Sequence, residues 1–376
     1  MTVGTHSQKP TKAYLLTDDG KIYSGSAFGY IPDGGTVPTG EMVFTTSIIG
    51  YLSTLCDPCY SGQIVIQSFP LIGNYGVVSS DFESETPALS AYIVRDFCQA
   101  PSNFRSEGTL DIFLSKNKIP GLYGIDTRAL VRRVRDKGSM NGVITYTLPT
   151  LAEYADILSN FAVKDAVKTV TESAQVRTFA PAGEVKCKIG LWNFGAVGNI
   201  IPNLLARNCG VTEILPYTSA EEIAKSNFDG IVLSNGPGDP AENGAIVAEI
   251  KKIMASGTPV FGISLGHQLA AIAAGAKTVR LDCGHRGSNQ PVKRTSDGSV
   301  FITSQNHGYA VDAATLPKNA AVTFANLNDG SCEGIEYADA PVVTVQFIPE
   351  ECPGAKDTMY LYDNFISMIE KSKGVR

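Results

Sequence analysis

The sequence predicts an α/β protein: an N-terminal α+β domain with a mixed sheet, followed by a doubly wound domain built on a parallel sheet. Three observations lead there. Residues 12 to about 145 hold short β-rich runs broken by Gly, Pro and Asp, with sparse helical periodicity. From Cys187 onward strands and helices alternate in the βαβα order of a parallel sheet, with loops gathered at its strand ends. Between them, residues 151–186 begin helical and drift into a polar Pro/Gly stretch, which marks a boundary. The expected partition is a domain over 1–150, a linker over 151–186 and a second domain over 187–376.

The elements follow in order. In the first domain "KAYLLTDDGKIYSG", "GEMVFTTS", "GQIVIQSFP" and "LSAYIVRDF" read as strands. "TLDIFLSKNK" and "DTRALVRRVRDKG" read as helices, the second stopped by Gly138. Its arginines, Arg128, Arg132, Arg133 and Arg135, read as a solvated helix face, with contact to a partner chain as the alternative. In the second domain "KCKIGLWN", "VTEILPY", "FDGIVLS" and "TPVFGIS" are strands. The helices between them are "VGNIIPNLLARNCG", "TSAEEIAKS" with a capping box from Ser219 to Glu222, and "AENGAIVAEIKKIMASG". "VFITSQNHGYAVD" through "PVVTVQF" extends the sheet, and "KDTMYLYDNFISMIEKSK" closes the chain with an amphipathic helix. Trp192 ends a buried strand and belongs in the core.

Composition narrows the function. The 376 residues are 43% hydrophobic, enough for sizeable cores, and no run approaches the roughly 20 apolar residues of a membrane span. The N-terminus lacks a basic-then-apolar leader pattern, so a cytosolic location is expected, with no membrane partner. A net charge of −6 argues against nucleic acid as a partner. The eight cysteines are scattered and read as reduced thiols. Cys56-Asp-Pro-Cys59 has redox spacing, but its Pro and the following Tyr-Ser-Gly read as a turn, without the helix N-terminus that would activate a thiol.

The chemistry concentrates around "PVFGISLGHQLAAIAAG". Gly262-Ile263-Ser264-Leu265-Gly266 spells G-x-S-x-G between an apolar strand and an Ala/Leu-rich helix, the sharp turn that exposes a nucleophile. A serine attacks only when a base removes its proton and a third group orients that base. The four histidines offer little: His6 is remote, and His267 lies one turn into the helix and reads as locally satisfied. His285 and His307 stand in chain order for a triad, but well before the chain's end. A serine hydrolase is therefore a lesser alternative. One strand earlier, Ser234-Asn235-Gly236-Pro237-Gly238-Asp239-Pro240 forms a Gly-rich loop able to bring backbone N–H groups to an anionic oxygen. Paired with the N–H of Leu265, it makes the two halves of an oxyanion hole.

"LSNGPGDP", "PVFGISLGHQLAAIAAGAKT", "SQNHGYAVD" and "VQFIPEECPGAKDTMYLYDNF" closely resemble the class I glutamine amidotransferase domain of the carbamoyl phosphate synthetase small-chain family. So do the N-terminal "GEMVFTTSIIGYLSTLCDPCYSGQIV", "FPLIGNYG", "PSNFR" and "GIDTRALVRRVRDKGSMNG", and the resemblance covers nearly the whole chain. It implies a subunit that hydrolyses glutamine and passes ammonia to a large chain, which makes carbamoyl phosphate for arginine and pyrimidines. No cofactor is implied in this chain, ATP and Mg belonging to the large one. Carried over by motif, the glutamine contacts are Ser47, Gly236, Gly238, Leu265, Gln268, Asn306, Gly308 and Tyr309.

Two departures bear on mechanism. The family's nucleophilic cysteine stands where this chain has Ser264, and its base histidine where "QFIPE" has Ile348; of that machinery only the orienting carboxylate, Glu350, remains. A hydroxyl needs a base far more than a thiol does, and Ile accepts no proton at any pH. The expected consequence is an absent or very weak glutaminase step, leaving a pseudo-glutaminase in a complex fed by free ammonia. The alternative is a non-catalytic module that binds glutamine or a related metabolite for regulation. Cys283 and Cys352 have no identifiable base and read as ordinary thiols. "NFGAVGNI" also has Asn193 and Val197 where the family usually carries Asp and Lys.

Overall fold

Alternating buried and exposed residues start the chain's first strand, β1 (Lys12–Thr17), and the tight turn Asp18-Asp19-Gly20 folds it back as β2 (Ile22–Gly29). The computed structural model describes residues 11–34, 37–82, 84, 87–197, 199–350 and 354–374. The chain falls into two units. The first comprises Met1–Thr45, Gly62–Ser80 and Leu89–Ala162; the second comprises Thr46–Ser61, Asp81–Ala88 and Val163–Arg376.

The first unit is a closed barrel. Its remaining strands are β3 (Thr39–Thr45), β4 (Gln63–Gln67), β6 (Ala91–Ile93), β8 (Pro120–Tyr123) and β9 (Met140–Thr145), while β5 (Leu71–Ile72) and β7 (Asp96–Phe97) pair separately. Around the barrel the order is β1-β2-β8-β6-β4-β3-β9, with parallel pairs from β8 to β3 and antiparallel pairs elsewhere. The mixed sheet expected from the sequence is thus present, and it closes on itself, which removes its edges. Leu15, Met42, Ile64, Ile66, Ile93 and Leu122 fill one core with Leu130 and Val134 of the helix Thr127–Lys137. Asp126 caps that helix by accepting from the Ala129 N–H, and Gly138 ends it at φ +80°. Arg128, Arg132 and Arg135 lie on its exposed face.

Arg133 is different: with Lys137, whose Nζ stands 2.9 Å away, it pairs with Asp19 in the β1–β2 turn. The Thr17 hydroxyl donates to the same carboxylate at 2.6 Å. Partial burial pushes the Asp19 carboxyl up, but the bonds from Thr17, Lys137 and Arg133 outweigh it and hold the group below the usual carboxylate range.

The second unit carries a 10-stranded sheet. Its strands are β10 (Thr178–Phe179), β11 (Cys187–Trp192), β12 (Cys209–Ile214), β13 (Gly230–Leu233), β14 (Val260–Ile263), β15 (Thr278–Arg294), β16 (Val300–Val311), β17 (Ala320–Asn326), β18 (Cys332–Tyr337) and β19 (Val342–Val345). The order is β10-β12-β11-β13-β14-β19-β18-β16-β15-β17, parallel from β12 to β19 and antiparallel beyond. One face packs against the helices Ala220–Lys225, Gly244–Ala255 and Leu265–Ala273, through Ile223, Ile250 and Leu269. The other packs against Ile200–Leu205 and Tyr360–Ser372, through Leu204, Phe365 and Ile369. That two-sided cover is the doubly wound arrangement the alternating elements predict. Trp192 lies fully in the core, its indole N–H donating to the carbonyls of Leu215 and Pro216.

Residues 151–186 contribute to both units. The helix Leu151–Asn160 starts at a Thr150/Glu153 capping box in the first, and Asn141 Nδ2 donates to Leu158 O and Phe161 O at its far end. Ala166–Thr171 and β10 belong to the second. Among the described residues no helix is long and apolar enough to cross a membrane.

A depressed carboxyl pKa contributes stability at pH values above its unfolded value, and that contribution fades as pH falls. Asp19→Asn is therefore expected to cost about 1–3 kcal/mol at pH 7, with the difference from the parent shrinking below pH ~4. Urea unfolding at pH 7 and at about pH 3.5 measures both; an equal cost at the two values would contradict the assignment.

Candidate active site

Strand β14 delivers Ser264 to a turn that almost no other sequence permits. Ser264 has φ +53° and ψ −107°, a conformation L residues rarely adopt. The glycines on either side explain how the chain passes. A Cβ at Gly266 would lie 2.4 Å from Leu233 O, and one at Gly262 would lie 2.8 Å from Thr344 Cγ2. With only hydrogens there, the helix Leu265–Ala273 begins directly above β13 and β14. Two backbone bonds fix the turn: Ser264 N–H donates to Val345 O at 2.8 Å, and Gly266 N–H donates to Ser234 O at 3.0 Å.

The Gly-rich loop after β13 packs onto the same point. A Cβ at Gly236 would meet Phe194 O at 2.5 Å and Leu265 Cδ2 at 2.8 Å, so the loop backbone lies against Leu265. Gly238 sits at φ +89°, where its missing Cβ also clears Ala166. The two stretches expected to hold an oxyanion are thereby neighbours. Asn193 and Val197 support this loop. Asn193 Oδ1 accepts from the N–H groups of Gly195 and Ala196, and Val197 N–H donates to Asn235 Oδ1 at 3.1 Å.

The other expected contacts come from distant parts of the chain. Gln268 Nε2 donates to Tyr309 O at 2.6 Å and to Gln346 Oε1 at 2.9 Å. Asn306 Nδ2 donates to Asp57 Oδ2 at 2.6 Å. Both amide NH2 groups are thus tied to protein oxygens, which orients both amide carbonyls as acceptors, the polarity an ammonium group requires. Desolvation pushes the half-buried Asp57 carboxyl up, only partly offset by the bonds from Asn306 and the Cys59 N–H. Ser47 Oγ accepts from Ser288 N–H at 3.2 Å, which joins the segment 46–61 to β15. Gly308 and Tyr309 lie on β16, with the Tyr309 ring beneath the Arg280 guanidinium.

Ile348 leaves β19 at the level where β14 gives way to Ser264, since Ile263 and Val345 are register partners. Its N–H donates to Ser304 O at 2.9 Å, so the backbone is anchored while the side chain offers only hydrocarbon. Glu350 is buried and accepts a short hydrogen bond from the Tyr362 hydroxyl. Burial, together with the adjacent Glu350 carboxylate, pushes the Tyr362 phenol well above its ordinary value, so it remains a donor.

The comparisons with known proteins fall on these same elements. Residues 15–144 match the family model described as carbamoyl-phosphate synthase small chain, CPSase domain, and residues 191–368 match glutamine amidotransferase class-I. The chain is 46% identical over 356 residues to the carbamoyl phosphate synthase small chain of Clostridium perfringens, covering 94% of this chain and 99% of that one. It is 43% identical over 380 residues to the corresponding protein of Syntrophotalea carbinolica, at 96% and 99% coverage. It is also 42% identical over 367 residues to that of Archaeoglobus fulgidus, again at 96% and 99%. The chain belongs to the carbamoyl phosphate synthase small-chain family.

In this small chain the described histidines are all engaged away from Ser264. His267 Nδ1 meets Thr344 Oγ1 at 2.8 Å; the ring is fully buried, which lowers its pKa to about 3 and keeps it neutral. His307 bonds to Tyr309 O and Gln305, and His285 to Asp329. Among the described residues none hydrogen-bonds the Ser264 hydroxyl. The thiols fare no better as substitutes. Cys56 ends a helix, and Cys59 accepts from Asn235 Nδ2 at 3.4 Å. Burial and then Asp57 push the Cys59 thiol well above its usual value. Cys283 is exposed on β15, and Cys352 lies outside the described residues.

Sequence reasoning missed Asp57, Gln346 and Tyr362. Tyr362 carried a signal, a tyrosine on the buried stripe of the closing helix that needed a partner for its hydroxyl. Replacing Tyr362 by Phe leaves Glu350 without that donor and is expected to cost about 1–3 kcal/mol. In an Ile348→His background, where an imidazole can serve the carboxylate, the cost is expected to fall. A double-mutant cycle read by chemical denaturation checks this, and strict additivity would mean that the introduced imidazole and Glu350 do not interact.

Proposed function

We propose that this chain serves as the small subunit of a glutamine-dependent carbamoyl phosphate synthase that retains a glutamine pocket but does not hydrolyse glutamine. It docks on a large chain, which holds ATP and Mg and draws on free ammonia from the cytosol for arginine or pyrimidine synthesis. The observation that carries the reading is the elbow itself. Ser264 keeps the strained backbone of a nucleophile position, yet no described base reaches it, and hydrocarbon stands at Ile348.

The chemistry follows from the residues. Amide hydrolysis begins with attack on a poor electrophile, and a neutral serine hydroxyl attacks only as its proton leaves. With no acceptor for that proton, the donors at Leu265, Gly236 and Gly238 have little charge to stabilise. The residual acceleration from such donors and from binding is roughly 10³–10⁴ over water, too small for a nitrogen supply. Binding is another matter. Gln268 and Asn306 present carbonyl oxygens to an ammonium group, and the glycines let the backbone approach the rest of the amino acid.

Ammonia release from glutamine by the purified chain, set beside the Ser264→Cys/Ile348→His double variant, tests the reading. The parent is expected to be silent and the double variant to turn over at least about 10³-fold faster. Turnover by the parent at a rate matching an intact amidotransferase would overturn it. Co-purification separates subunit from sensor: a stable complex with a large synthase chain supports the subunit role, and a solitary glutamine-binding protein supports a regulatory module.

A further inference from the structure

We propose that His285, His307 and Glu333 form a binding site for a divalent transition-metal ion, Zn²⁺ or an ion of similar preference. These residues come from β15, β16 and β18, and one ligand atom from each lies within 4.8 Å of the others. All are buried: the histidines are 7% exposed and Glu333 is 0% exposed.

The outer hydrogen bonds of the two imidazoles set their lone pairs inward. His307 Nδ1 donates to Tyr309 O at 2.8 Å, and His285 Nε2 donates to Asp329 Oδ2 at 2.9 Å. Metal-binding histidines are typically held this way, the far N–H on a carbonyl or carboxylate and the near nitrogen bare. The near atoms, His307 Nε2 and His285 Nδ1, then face oxygens. Gln305 Oε1 is 3.0 Å from His307 Nε2, and Glu333 Oε1 is 3.3 Å from His285 Nδ1.

Turning Gln305 around does not relieve the first contact. Its Nε2 donates to Thr303 Oγ1 at 3.1 Å and to Glu333 Oε2 at 3.0 Å, and the Thr303 hydroxyl spends its own proton on Gln290 O. A flipped amide would set oxygen against oxygen at both places. Asn326 Nδ2 lies 3.3 Å from His285 Nδ1 and 3.2 Å from Glu333 Oε1, with its carbonyl held by Asn328 N–H, so it lines the cluster without bridging Gln305 and His307. A cation among these atoms would satisfy the acceptors that face one another. Ligands about 2.0 Å from a tetrahedral ion stand roughly 3.3 Å apart, the separation of His285 Nδ1 from Glu333 Oε1.

Two imidazoles with a carboxylate suit zinc and its neighbours rather than calcium or magnesium. With Gln305 Oε1 as a fourth donor the site is closed, so its role is to staple β15, β16 and β18 beside Asn306 and Tyr309.

The full-length chain, stripped with a chelator, is to be titrated with Zn²⁺ against a chromophoric competitor and with Co²⁺ by visible absorption. One equivalent per chain is expected, with the intense visible bands of tetrahedral Co²⁺. Glu333→Gln, which preserves shape, and His285→Asn are each expected to weaken binding at least about tenfold, with folding verified by circular dichroism. The parent's own Co²⁺ spectrum keeps the proposal testable if a variant misfolds. Substoichiometric binding by the parent, or equal affinity in a folded variant, would sink the idea and leave a shared buried proton as the positive centre.

Discussion

The second unit depends on a turn of five residues in which the backbone does what side chains would forbid. Gly262 and Gly266 bring the helix Leu265–Ala273 so close to β13 and β14 that Leu233 O and Thr344 occupy the space a Cβ would need. The strain at Ser264 is tolerated because hydrogen bonds to Val345 and Ser234 over-determine it. From that point the Gly-rich loop, Gln268 and the end of β19 all take their positions. Keeping such a turn costs conformational energy whether or not a nucleophile sits on it.

Ser264 and Ile348 are both held through their backbones, by Val345 and Ser304. Two residues beyond Ile348 lies Glu350. A buried carboxylate needs donors, and the Tyr362 hydroxyl, reaching from the closing helix, is one of them.

Legibility in the sequence followed sequence distance. The elbow, the Gly-rich loop, the Thr127–Lys137 helix and the alternating elements of the second unit are short-range patterns, and they appear where the pattern puts them. Asp57, Gln346 and Tyr362 lie outside those patterns and were not legible. Asp57 looked like part of a turn between two cysteines, and only the fold sets it on Asn306. Closure of the first unit's sheet was equally hidden, because pairing β1 with β9 is decided by strands far apart along the chain. The cluster at His285, His307 and Glu333 depends on long, bulged strands whose register shifts leave no periodic trace.

The interleaving of the two units along the chain has a consequence for synthesis. The segment Thr46–Ser61 belongs with the second unit, yet its partner Asn306 lies 249 residues beyond Asp57. At roughly 5–20 residues per second, a ribosome needs about 12–50 s to supply that partner. Throughout that interval the buried helix Tyr51–Cys56, with Tyr51, Leu52 and Leu55, has no finished home. The nascent chain therefore carries an exposed apolar segment between strands of a barrel that could otherwise close early. Chaperone demand during translation, rather than the stability of the finished protein, is where this connectivity makes itself felt.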